Sequence, residues 1–100
     1  MLRRLAPILC LIALAGCATA PPVQEMSDAR QAIAAARQAG AEQYAADQLK
    51  QAEFMLESAE GYLQTGTSNG YWSARRAAVD AKDTALNALL VSRSATNPDP

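Results

Sequence analysis

From Ala45 onward, Ala45, Leu49, Ala52, Leu56, Ala59 and Leu63 follow one another in alternating steps of four and three. After a glycine-bounded stretch the same rhythm returns as Ala74, Ala78, Ala81, Ala85 and Ala88. Such spacing lays a seam along one side of an α-helix, and it does not fit the period of two that a strand needs. Between the runs stands Gly66-Thr67-Ser68-Asn69-Gly70. Gly66 suits the left-handed cap of the first helix, and Asn69 is placed to cap the second. So short a connection leaves two helices little choice but an antiparallel hairpin. Alanine fills 23 of the 100 positions and only five residues are aromatic. Helices with alanine seams approach closely, but the core they enclose is thin, which points to a partner or self-association.

An earlier segment carries its own echo, Ala29-Arg30-Gln31-Ala32 and then Ala36-Arg37-Gln38-Ala39, ending at Gly40. Continued past Ala39, its spacing asks for apolar residues near 43 and 50, where the chain has Gln43 and Lys50. The phase slips, so a break between Gly40 and Tyr44 is expected rather than one long helix. The expected fold is all-α, a small three-helix antiparallel bundle with helices at about 23–39, 45–65 and 70–93. The first begins at Val23 behind Pro22, or at Ser27 with Asp28 on the positive end of the dipole. Residues 17–22 read as a spacer, 23–93 as the helical domain and 94–100 as a disordered tail.

Residues 1–16 read as a leader. Arg3 and Arg4 precede an apolar run from Leu5 to Ala15. As a helix that run spans about 16 Å, roughly half a hydrocarbon core, so it suits a signal peptide and not a membrane anchor. Leu14-Ala15-Gly16-Cys17 resembles the lipobox of bacterial lipoproteins. The resemblance implies a diacylglycerol on the Cys17 sulfur, cleavage before Cys17 and an acyl chain such as palmitate on the new amino group. Cutting after Ala18-Thr19-Ala20 is the competing reading, and it would leave Pro21 at the new terminus. Cys10 leaves with the leader, so Cys17 remains without a disulfide partner. Ala18, where aspartate would signal inner-membrane retention, implies the periplasmic face of the outer membrane. Without Arg3 and Arg4 the nine basic residues fall to seven, against ten acidic. Such a surface is not drawn to anionic headgroups, so lipid alone would hold the chain to its membrane.

Little in the chain is suited to catalysis. There is no histidine, and hence no ordinary general base or imidazole ligand. We expect no enzyme, no cofactor, no metal site and, with mixed charge of net −1, no nucleic-acid partner. Glu53, Glu57 and Glu60 read as a solvated stripe. Arg30 and Arg37 form a stripe that could meet anionic glycan or lipid heads, and Arg76 with Asp80 a weak pair one turn apart. Trp72, Val79 and Leu86 recur every seven residues, about 100° around the helix from the alanine line. This ridge either packs on the first helix or is a docking face, and Phe54, off the seam of its own helix, poses the same choice.

Ala39-Gly40-Ala41, Tyr44-Ala45, the Leu49–Ala59 seam, Gly66 and the alanine run through Asp80-Ala81 together resemble the short alanine-rich bacterial lipoproteins of the domain of unknown function 4398 family. The resemblance spans residues 22–93. Members often carry proline after the Tyr-Ala pair, where this chain has Ala46. The Gly-Tyr-x-x-Ala turn is also similar to tetratricopeptide hairpins, of which the chain has length for one at most. The function expected is that of a structural or adaptor lipoprotein at the periplasmic face of the outer membrane, working through helix–helix contacts with an envelope protein or itself. The alternative is a periplasmic module binding glycan, lipid or a hydrophobic molecule. The chain ends Asn97-Pro98-Asp99-Pro100 and not in lysine, so covalent attachment to peptidoglycan is not expected. Mass spectrometry of membrane-extracted protein should find an acylated Cys17 at the N-terminus, and a mature chain beginning at Pro21 would contradict the lipobox.

Overall fold

The structure is a computed structural model that describes residues 20–97. Four helices follow in order, α1 (Val23–Gln38), α2 (Ala41–Tyr44), α3 (Ala46–Leu63) and α4 (Ser68–Thr96). α1, α3 and α4 are the three expected helices, and α2 is one extra turn in the expected break. Together they form a small all-helical bundle. Arg75 near the start of α4 meets Glu25 near the start of α1, so these two run parallel. Arg30 and Arg37 of α1 meet Glu60 and Glu53 of α3 in descending order, so α3 is antiparallel to α1.

α4 is the shared element: it packs along both α1 and α3, while α1 and α3 touch each other much less. Its seam explains why. Ala74, Ala78, Ala81, Ala85 and Ala88 are all fully buried, and a methyl side chain lets two neighbours approach the same helix at once. The next place in that rhythm is Ser92, also buried. Its hydroxyl donates to the Ala88 carbonyl at 2.8 Å, so the polar group goes in satisfied. Larger side chains fill the two ends. Ile33, Leu49 and Leu89 gather around Ala36, Ala52 and Ala85 at one. Met26 meets Ala59 and Ala78 at the other, with Leu56 and Leu63 against them.

The turns use the residue types expected, with shifts of position. Gly40 takes φ +92°, ending α1 in the left-handed region where glycine alone is unstrained. The chain bends again at Ala45, φ −147° and ψ 47°, before α3 starts at Ala46. That is where the resemblance places proline, and a first helical position accepts proline without losing a helical bond. Gly66, φ +68°, breaks the chain after α3. α4 then begins two residues before the expected Gly70. Its cap is Thr67 and not Asn69, because Thr67 is extended and its Oγ1 accepts from the Gly70 amide at 3.0 Å. Gly70 itself lies in the first turn, pressed so closely on α3 that a Cβ there would stand 2.7 Å from the Tyr62 carbonyl.

The outer bounds also move. Pro22 is buried, so it belongs to the folded unit and not to the spacer. α4 runs through Thr96, whose hydroxyl donates to the Ser92 carbonyl at 3.0 Å. Residues 94–96 of the expected tail are therefore helical.

Bulk placed in the α4 seam should separate it from both neighbours. Ala81→Leu is expected to cost about 1–3 kcal/mol, or roughly 4–8 °C of melting temperature per kcal/mol in a domain this small. Gly70→Ala should cost a similar amount, while Ala34→Leu on the exposed side of α1 should melt near the parent value. Equal shifts at positions 81 and 34 would contradict the packing.

Candidate functional site

Counting 100° per residue, Trp72 lies about 180° from Ala81. The same count puts Val79 and Leu86 about 160° and 140° from Ala81, so the ridge is on the side of α4 away from the middle of the buried seam. Trp72 is 62% exposed, Val79 36% and Leu86 40%. With α4 covered by α1 and α3 on its alanine side, the first of the two sequence readings, packing on α1, does not hold. Leu90, 58% exposed, extends the ridge. Its signal was present in the sequence, since Trp72, Arg76, Val79, Asp83, Leu86 and Leu90 keep alternating steps of four and three.

Trp72 is held rather than loose. The Arg75 guanidinium sits 5.1 Å from the centre of its ring. The same arginine places Nε 3.4 Å from the Glu25 carboxylate on α1. That contact is one of charge and not a hydrogen bond, since Nε, although buried, has no acceptor in bonding geometry. A stacked cation is worth about 0.5–1 kcal/mol at exposed sites, enough to favour one ring orientation. Nothing in the periodicity singled out Arg75, whose role depends on which helix lies beside it.

Beside the ridge, a groove of about 500 Å³ opens between α3 and the first half of α4. Met55 and Tyr62 line it from α3, and Trp72, Arg76 and Asp80 from α4. Thr84 closes on the Met55 sulfur at 3.6 Å. Phe54, 69% exposed, does not line this groove and stands on the far side of α3 from its seam. The structure therefore does not join Phe54 to the Trp72 ridge. Cys17 lies outside the described residues.

The charged stripes have partners that sequence spacing did not reveal. Arg37 forms an ion pair with Glu53 at 2.8 Å, and Arg30 donates to Glu60 at 3.4 Å. A basic stripe of period seven on α1 thus meets an acidic stripe of period seven on α3. Exposed pairs like these contribute only about 0–1 kcal/mol each, and their order matches the antiparallel register of the two helices. They also engage both guanidiniums of the stripe that could meet an anionic ligand. Arg76 and Asp80 do not form the expected ion pair; Arg76, Asp80 and Asp83 have no ion-pair partner among the described residues. Nor does any group of three possible metal ligands converge among them.

The model of the family described as domain of unknown function (DUF4398) matches residues 24–97. The chain belongs to that family. The match covers all of α1 but its first residue and runs one residue past α4, so the family's domain is this helical bundle. No curated protein and no solved structure matches the chain. No helix among the described residues is long and apolar enough to cross a membrane.

Trp72 is the one tryptophan, which makes its environment readable. Its emission should be red-shifted and readily quenched. Trp72→Ala should change unfolding free energy by less than about 1 kcal/mol, as for an exposed site away from the core. Blue-shifted emission with a large loss of stability would place the ring in the core.

Proposed function

We propose that this member of the DUF4398 family is a periplasmic lipoprotein held to the outer membrane by lipid on Cys17. It acts there as a small structural or adaptor module through helix–helix contacts. The observation that carries the reading is the outward face of α4. A bundle with few large apolar residues leaves Trp72, Val79, Leu86 and Leu90 exposed along one helix, although Leu and Val are the side chains whose burial would stabilise it most. Aromatic and aliphatic groups aligned in this way favour a facing helix. The lipobox, and the excess of ten acidic over seven basic residues once Arg3 and Arg4 are removed, support anchoring by lipid.

A second reading, a module binding glycan, lipid or a hydrophobic molecule, is favoured by the groove beside Tyr62 and Trp72. Its volume of about 500 Å³ lies in the range of ligand sites, about 300–1,000 Å³. Photocrosslinking in intact cells separates the two. A crosslinker at Leu86, on the ridge but off the groove, should capture a protein, and Trp72→Ala should reduce the product without lowering the amount of folded chain. Capture only from Ser58, inside the groove, and only of a small molecule would favour the ligand module.

A further inference from the structure

The outward face of α4 has a charge order that matches it to itself. Along the 4–3 seam, Trp72, Arg76, Val79, Asp83, Leu86 and Leu90 place one cation and one anion on either side of a central valine. Arg76 and Asp83 are both exposed, and neither has an ion-pair partner among the described residues. We propose that the partner of this face is a second copy of the chain, with the two α4 helices antiparallel about a two-fold axis near Val79 and Asp80. This deepens the adaptor reading and rests on the same ridge.

Register favours this pairing. In an antiparallel pair centred there, Arg76 of each copy stands level with Asp83 of the other, so one pairing rule is satisfied twice. Val79 meets its counterpart at the axis, and Trp72 lies against the Leu86 end of the opposite helix. In a parallel pair, arginine would face arginine and aspartate would face aspartate, which is repulsive. From Trp72 to Leu90 the seam is about 27 Å long at 1.5 Å per residue, which accommodates several layers of packing. α1 runs parallel to α4, so the two Pro22 ends fall at opposite ends of the pair. Two anchored chains could then share one membrane only with their helices lying along it.

The test is disulfide trapping of the full chain carrying Val79→Cys, purified in detergent and oxidised mildly, with the unsubstituted chain as background. A covalent dimer through position 79 is expected. Adding Arg76→Glu should lower its yield roughly tenfold, because each lost pair is counted twice. Combining Arg76→Glu with Asp83→Arg should restore it. Circular dichroism checks that each variant is folded. A folded Val79→Cys chain that gives no dimer, or a double reversal that fails to rescue, overturns the second-copy inference. If the Leu86 crosslinker then captures a different protein in cells, the adaptor reading survives on its own. If it captures nothing, both fail.

Discussion

Two helices can lie along one side of a third only if that third helix presents almost no side chain between them. The alanine seam of α4 meets this condition with five fully buried alanines and one self-satisfied serine. α1 and α3 can then both reach its backbone, and the dispersion contacts of closely packed main chains take the place of a bulky core. The rest of the bundle follows from that closeness. Gly70 is required where α4 begins because even a methyl group would meet the end of α3. The few large side chains, Met26, Ile33, Leu49 and Leu89, fill the spaces toward the ends.

A helix with its small residues inside has most of its large ones outside. On α4 this leaves Trp72, Val79, Leu86 and Leu90 in solvent, on the side that no element among the described residues covers. The charges divide in the same way. Those between α1 and α3 are paired within the molecule, in the order that antiparallel helices require. Arg76 and Asp83 stand among the exposed apolar residues with no ion-pair partner among the described residues. One helix thus holds the fold together through one face and leaves its other face exposed, so substitutions on its two sides should separate stability from the proposed association.

Most of the fold was legible because α-helical seams repeat. The buried faces of α1, α3 and α4 fall at the spaced positions, and the phase slip after Ala39 marked the break that α2 occupies. Gly66 was readable as a left-handed turn. Caps were less legible: Thr67 and Asn69 are both good capping residues, and only the backbone conformation decides between them. Ser92 was hidden by its polarity, although the 4–3 count reaches it. The site was half legible. Periodicity found Trp72, Val79 and Leu86, but whether they were core or surface depended on where α1 settles, which spacing within one helix does not encode. The Arg30–Glu60, Arg37–Glu53 and Arg75–Glu25 pairs were invisible for the same reason. They join helices, and each stripe on its own looked solvated.

α4 is the element on which the other helices depend. Native-state amide hydrogen exchange measures this directly, since protection reports the free energy of opening each segment. The amides of α4 between Ala78 and Leu89 should exchange slowest, only through global unfolding, while those of α1 and α3 exchange no more slowly. Exchange of this stretch of α4 ahead of α1 or α3 would contradict the account, because the shared seam would then not be what holds the bundle together.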